Sequence, residues 1–144
     1  LGIYLGISRP VWVDRKKRQQ SGKVMNEIHR TLADGVSLLV YPEGTTSDGE
    51  HGLLPFKPTA FQAVIGTEFK IQPVITRYFR DEDNWNPAWF GHQTLLPHLW
   101  QFIGRKRTRV KVVALEPVTP MPGEDRKALA ARVQKIMEEA LDRI

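Results

Sequence analysis

The chain has 144 residues, of which 41% are hydrophobic, so it can bury the core of one domain. It contains no cysteine, which excludes disulfides and thiol catalysis, and no apolar run reaches transmembrane length. Lysine and arginine outnumber aspartate and glutamate by 21 to 16, and this excess favours an anionic partner.

Hydrophobic periodicity predicts helices that alternate with strands. In chain order the predicted elements are a short strand at 11–13, a helix at 21–33, a strand at 36–41, a helix at 58–65, strands at 70–78 and 109–115, and a C-terminal helix that starts at Glu124 and Asp125. Such alternation is typical of an α/β fold with a largely parallel sheet flanked by helices. No composition shift marks a second domain, so we expect a single domain over residues 1–144.

The loop at 41–49 (YPEGTTSDG) combines an acid, a flexible backbone and hydroxyl groups directly after a predicted buried strand. In open α/β sheets, ligands bind beyond the carboxyl ends of strands. Gly44 would let a ligand approach the backbone, and the hydroxyls of Thr45, Thr46 and Ser47 can donate to phosphate or hydroxyl oxygens. The same residue types also form ordinary turns, so the loop alone does not decide a function.

Residues 85–103 are unusually rich in aromatic and apolar side chains. Leu95, Leu96, Leu99, Trp100 and Ile103 fall at helical spacing. We expect them to form a core-facing stripe, and the alternative is an acyl-chain or bilayer contact, where tryptophan is favoured.

Two basic clusters, at 15–18 (RKKR) and 105–111 (RKRTRVK), carry most of the excess charge. Either could bind an anionic membrane, at about 1 kcal/mol per nearby basic residue. No zinc spacing, helix-turn-helix signature or aromatic RNA-binding motif accompanies the charge, so we expect no nucleic-acid partner. Solvated strand and loop ends explain the second cluster equally well.

Four segments occur in an order that points to one family: VWVDR at 11–15 with its VDR block, the PEGT-S block at 42–47, LPFKPTAF at 54–61, and IQPVI at 71–75 with its PVI block. Together they resemble the glycerolipid acyltransferases, specifically the bacterial 1-acyl-glycerol-3-phosphate acyltransferases. The resemblance covers residues 1 to about 103. It implies a glycerol-3-phosphate acyltransferase-like α/β fold. It also implies that an acyl group moves from acyl-CoA or acyl carrier protein to the free hydroxyl of a lysophospholipid, at the cytoplasmic face of the inner membrane.

In that family a His-x4-Asp block, which supplies the general base, precedes the VDR block. The chain begins shortly before Val13, so we expect it to be an N-terminally truncated fragment that lacks the catalytic pair. A His-x4-Asp string does occur at His29 and Asp34, but it follows the VDR block. Five residues along a helix turn a side chain by about 140°, so these two would point apart. We expect no metal and no cofactor apart from the thioester co-substrate.

The resemblance also implies roles for individual residues on the acceptor side of the site. Arg15 and Lys57 suit the acceptor phosphate, and Pro73 with Val74 would shape an apolar wall. Glu43 would support the chemistry by accepting a hydrogen bond from the acceptor hydroxyl or by bracing backbone amides.

Position 46 is a departure from the family pattern, because many members carry arginine where this chain has Thr46. Loss of that cation leaves room for another acceptor, such as a lyso-ornithine lipid. His51, His92 and His98 match no block. The alternative to an enzyme is a non-catalytic basic α/β module that binds anionic surfaces.

Overall fold

The computed structural model describes residues 21–144, with side chains from Val24 onward. The predicted strand at 11–13, Arg15 and the basic cluster at 15–18 lie outside the described residues. The chain divides into two compact units, Leu1–Val40 and Tyr41–Ile144.

The described part of the first unit contains helix α1 (Ser21–Ala33), which has the predicted bounds. Its predicted apolar face is half-buried: Val24, Met25, Ile28 and Leu32. Gly35 ends the helix at φ +76°, and its N–H donates to the carbonyl of Leu32 at 3.0 Å. Glycine adopts this left-handed conformation at low cost, which explains why the helix stops here.

The predicted strand at 36–41 is wrong. These residues are irregular, and Leu39 and Tyr41 are 78% and 75% exposed. The apolar run has strand propensity, but a strand also needs a neighbour for its backbone hydrogen bonds. No strand within residues 21–144 pairs with it.

The second unit contains a sheet of strands β1 (Val74–Phe79) and β2 (Arg109–Ala114). They pair antiparallel, from Val74 opposite Ala114 to Phe79 opposite Arg109. β1 starts later than predicted because Pro73, which lacks an N–H, confines the regular ladder to the residues after it. An isolated bridge between Ile71 and Val118 extends the pairing.

The two described strands are therefore antiparallel, and the predicted largely parallel sheet is not seen in the described part of the chain. The connection between them contains helix α2 (Leu95–Ile103). This helix packs on its own preceding loop through Trp85, whereas a crossover helix between parallel strands would cover the sheet. The mixture of helices and strands itself is confirmed.

The prediction of a core-facing stripe on α2 is also wrong. No residue of α2 is buried, and Leu96, Trp100 and Ile103 are 76%, 80% and 65% exposed. The helix packs instead through its polar and aromatic side, where His98 stacks on Trp85 with a centroid distance of 5.2 Å. Periodicity identified the apolar face, but it did not reveal which face has a partner.

The core of the second unit lies where helix α3 (Arg126–Leu141) packs on β1 and on a 3₁₀ helix at Pro58–Val64. Leu129 and Val133 are its most buried side chains. Asp125 caps α3 by accepting hydrogen bonds from the N–H groups of Lys127 and Ala128, both at 2.8 Å. The same bonds lower the pKa of Asp125. Both helices were predicted, although the tighter 3₁₀ geometry of the first was not.

Candidate active-site loop

Two backbone hydrogen bonds close the loop between Tyr41 and Lys57. The N–H of Gly44 donates to the carbonyl of Tyr41 at 3.0 Å, which forms a tight turn. The N–H of Lys57 donates to the carbonyl of Pro42 at 2.8 Å, which brings the end of the loop back to its beginning. The loop is further anchored to α3, because the N–H of Phe56 donates to Gln134 Oε1 at 2.9 Å and the Phe56 ring is buried.

Glu43 braces this loop from inside. Its Oε2 accepts a hydrogen bond from the N–H of Leu54 at 3.3 Å, across the loop. Partial burial raises the pKa of Glu43 above its ordinary value, and the Leu54 hydrogen bond offsets only part of that effect. Its Oε1 makes no hydrogen bond within residues 21–144, so it can still accept one from a ligand.

Lys57 lies directly against Gly44. Gly44 has φ +68°, and a Cβ atom built there would lie 2.6 Å from the Lys57 Nζ. The Lys57 ammonium therefore lies over the turn that follows Glu43, in space that is open because residue 44 is glycine. Ion pairs in the described part of the chain use other cations, namely Arg80, Arg105, Arg107, Arg132, Lys135 and His51. The positive charge of Lys57 is therefore uncompensated among the described residues.

The three hydroxyl residues continue the loop beyond this turn. Thr45 and Thr46 are exposed and Ser47 is half-buried, and none of their hydroxyls hydrogen-bonds to any residue that the structure describes. They can therefore all donate to a ligand.

The structure places Glu43, Gly44 and Lys57 in one loop, but it does not place every predicted site residue in contact with that loop. Arg15 lies outside the described residues. Pro73 is buried at the start of β1, where its carbonyl accepts from the N–H of Leu115 at 2.9 Å. Within residues 21–144, no hydrogen bond joins Pro73 to the loop.

Sequence reasoning missed the polar contacts that hold the second half of the loop. Asp48 Oδ2 lies 2.5 Å from His51 Nδ1, and its Oδ1 accepts from the N–H of Glu50 at 3.0 Å. These hydrogen bonds, the Glu50 amide first, lower the pKa of Asp48. The spacing of an aspartate two residues before its amide partner is a local turn signal that could have revealed this contact.

A second missed contact links the loop to the segment after β1. Arg80 donates to both carboxylate oxygens of Glu50, at 2.5 and 2.9 Å, and lowers the pKa of Glu50. Its Nη1 also donates to the carbonyl of Asn84 at 2.6 Å. Glu50 and Arg80 are too far apart in sequence for any local pattern to have joined them.

The described residues contain no group of three or more histidines and acidic residues that could hold a metal ion. Within the same residues, every helix is too short or too polar to cross a lipid bilayer. Apart from Asp48, Glu50 and His51, which are already paired, the loop offers the Glu43 carboxylate, the Lys57 ammonium and several hydroxyls.

Comparison with known proteins points to one chemistry. A family model described as Acyltransferase matches residues 2–77, which include the loop and Pro73. The chain is 32% identical, over 97% of its length, to a lyso-ornithine lipid O-acyltransferase of Brucella abortus, and 34% identical, over 83%, to one of Pseudomonas aeruginosa. It is also 31% identical, over 87% of its length, to a 1-acyl-sn-glycerol-3-phosphate acyltransferase of Neisseria gonorrhoeae.

The chain spans about half the length of these relatives, covering 59%, 44% and 49% of them respectively. No solved structure matches it.

Proposed function

The chain belongs to the Acyltransferase family, and from that premise we propose that the natural protein transfers a fatty acyl group from a thioester donor to the free hydroxyl of a lysophospholipid. The residues described here would bind the acceptor. The observation that carries this proposal is the Lys57 ammonium lying against Gly44, the residue that follows Glu43 in the loop.

The loop carries groups that are complementary to an acceptor with a phosphate and a neighbouring free hydroxyl. Lys57 supplies a positive charge for the phosphate, and the free hydroxyls of Thr45 and Thr46 can donate further hydrogen bonds. Glu43 Oε1 would accept the hydrogen bond of the glycerol hydroxyl and so orient it toward the thioester. A carboxylate would repel a phosphate at close range, so Glu43 is placed at the hydroxyl rather than at the phosphate.

The reaction requires proton removal as the new ester bond forms. The acceptor oxygen attacks the thioester carbonyl, the carbon–sulfur bond breaks, and the carrier leaves as a thiol after taking a proton. By the family resemblance, the general base is the histidine of the His-x4-Asp block, and Arg15 of the VDR block is a second phosphate ligand. Glu43 and Lys57 bind and orient the acceptor. Pro73 would contribute to an apolar wall for the acyl chain.

A lyso-ornithine lipid is the second candidate acceptor. The family resemblance favours it, because many members carry arginine where this chain has Thr46, and two of the similar proteins named above are lyso-ornithine lipid O-acyltransferases. Its amino-acid headgroup would need fewer cations than a phosphate does.

The donor and the location belong to the same proposal. Acyl-CoA or acyl carrier protein would deliver the thioester, with no further cofactor. The exposed cations of the basic cluster at 105–111 and the lipid nature of both acceptors support a location at the cytoplasmic face of the inner membrane. The largely parallel central sheet of the glycerol-3-phosphate acyltransferase-like fold rests on family membership alone.

Replacing Lys57 with alanine tests the phosphate role. In the natural protein, Lys57→Ala is expected to raise the acceptor KM by about tenfold to a hundredfold, since a charge-assisted hydrogen bond contributes about 1.5–3 kcal/mol. The donor KM should change little. Acyl transfer to lysophosphatidic acid at varied donor and acceptor concentrations measures both values. Lys70→Ala, at another exposed lysine, is the control. An unchanged acceptor KM would remove Lys57 from the site, and an absence of transfer by wild type to either acceptor would overturn the proposed function.

Thr46→Arg tests the choice of acceptor. A new cation at this exposed position is expected to shift preference toward lysophosphatidic acid over a lyso-ornithine lipid by about 1–2 kcal/mol. Competition between the two acceptors measures the ratio in wild type and variant. Equal ratios would show that position 46 does not contact the headgroup.

A further inference from the structure

Helix α2 presents an apolar face to solvent. Leu96, Trp100 and Ile103 are 76%, 80% and 65% exposed, and their spacing of four and three residues places them on one side of the helix. None of these three side chains is charged or makes a polar contact within the described residues. These three residues form the α2 face.

The opposite side of α2 is fixed, so the α2 face has a defined orientation. The indole N–H of Trp85 donates to Gln101 Oε1 at 3.1 Å, and its ring stacks on His98 at 5.2 Å. His98 Nε2 lies 3.1 Å from the carbonyl oxygen of Pro87, and Phe102 lies 6.3 Å from the Trp85 ring, centroid to centroid. Because these contacts anchor the helix, the exposed apolar residues are not those of a frayed segment.

Acidic groups near the end of α2 are already paired. Arg105 contacts the carboxylates of Asp81 at 2.7 Å and Asp83 at 2.6 Å, and Arg107 contacts Glu82 at 2.6 Å. The two guanidinium groups offset two of these three negative charges, which would otherwise repel an anionic surface.

Three cations of the same segment remain outside the ion pairs of the described residues: Lys106, Arg109 and Lys111. All three are exposed, and the segment follows α2 directly. An apolar face with a tryptophan, followed by exposed cations, matches the layers of an anionic bilayer, where apolar chains lie beneath negatively charged headgroups.

We propose that the α2 face docks on the surface of an anionic lipid bilayer, with Leu96, Trp100 and Ile103 at the level of the acyl chains and Lys106 and Lys111 at the headgroups. A short amphipathic helix that lies in the plane of the interface needs no transmembrane segment. Vesicle binding requires neither acyl donor nor acceptor, so this proposal stands or fails independently of the proposed acyl transfer.

Cosedimentation of the full chain with vesicles tests the apolar contribution. The vesicles contain phosphatidylcholine with about one third phosphatidylglycerol. Leu96→Ser combined with Trp100→Ser is expected to lower the partition coefficient by about tenfold or more. The two single variants Leu96→Ser and Leu39→Ser provide a matched comparison, because these leucines are 76% and 78% exposed. Leu39→Ser should change binding by less than about twofold. Equal losses in the two single variants would overturn the proposal.

A second comparison tests the charges. Lys106→Gln with Lys111→Gln should weaken binding to the anionic vesicles by about tenfold, and leave binding to pure phosphatidylcholine unchanged. Lys70→Gln with Lys127→Gln removes the same charge elsewhere and should have a much smaller effect. Equal effects of the two pairs would show that net charge, rather than the α2 face, decides binding.

Tryptophan fluorescence and sedimentation velocity distinguish a lipid bilayer from a second copy of the chain as the partner of the α2 face. Anionic vesicles should shift the emission of wild type to shorter wavelength, and Trp100→Phe should abolish this shift while it retains binding. The alternative occupant is a second copy of the chain. If Leu96→Ser with Trp100→Ser dissociates a dimer and leaves vesicle binding unchanged, the α2 face is a dimer interface and the lipid proposal is wrong.

Discussion

Glu43→Gln is expected to lower kcat/KM of the natural protein by about thirtyfold or more, equivalent to about 2 kcal/mol of transition-state stabilisation, while the fold remains intact. Glutamine retains an oxygen that can accept from the N–H of Leu54, so the loop stays braced. The negative charge that would orient the acceptor hydroxyl is lost. Acyl-transfer kinetics and thermal unfolding of the same samples measure the two effects. If turnover and melting are both unchanged, residues 41–49 form an ordinary turn.

The pH dependence of stability provides a second readout of Glu43. Burial raises its pKa in the folded state above the value of 4.5 in the unfolded chain, so the folded state binds the proton more tightly. The contribution of Glu43 to the free energy of unfolding is therefore complete below pH 4.5, and it is lost as pH rises through the raised pKa. Glu43→Gln should lack this loss, which denaturant unfolding at a series of pH values measures. Parallel stability curves for wild type and variant would contradict the burial of this carboxylate.

Gly44→Ala is expected to weaken acceptor binding as much as Lys57→Ala does, by about tenfold to a hundredfold. The new Cβ would lie 2.6 Å from Lys57 Nζ and 3.0 Å from its Cδ and Cε atoms. The flexible lysine can move away at little cost to stability, but its ammonium then leaves the turn. The backbone at φ +68° adds a strain of about 1–2 kcal/mol. The acceptor KM and the free energy of unfolding are the quantities to measure.

Gly66→Ala is the matched control for this prediction. Gly66 has φ +71°, so the alanine variant carries similar backbone strain, but nothing lies within 4 Å of the new Cβ. We expect a similar loss of stability with an unchanged acceptor KM. If both variants raise KM equally, strain alone explains the effect and the position of Lys57 is irrelevant.

Local signals predicted much of the fold. Helix α1 has its predicted bounds because an apolar stripe and Gly35 are adjacent in sequence, and α3 begins where Asp125 can cap it. The direction of β1 relative to β2 depends on contacts between distant segments. A pattern of alternating helices and strands does not contain that information. The sequence therefore could not determine whether β1 and β2 pair parallel or antiparallel.

The same distinction applies to burial and to the site. Periodicity located the apolar faces of 36–41 and α2, but burial requires a partner, and both faces are exposed in the structure. The block pattern gathered Glu43, Gly44 and Lys57 into one site. The contact of Lys57 with Gly44 depends on loop closure through the Pro42 carbonyl, which no spacing rule predicts. The Glu50–Arg80 ion pair was not predicted either, because it also joins residues that are distant in sequence.

The central claim is that the Lys57 ammonium over the Gly44 turn binds the phosphate of the acceptor. Titration of the full chain with glycerol 3-phosphate, followed by NMR of the lysine side-chain Cε–Hε signals and the backbone amides, tests it most directly. We expect the signals of Lys57 and Gly44 to shift together with one dissociation constant, while those of Lys70 and Gly66 stay in place. Shifts at Lys70 as large as those at Lys57, or no shift at Lys57 at saturating ligand, would contradict it.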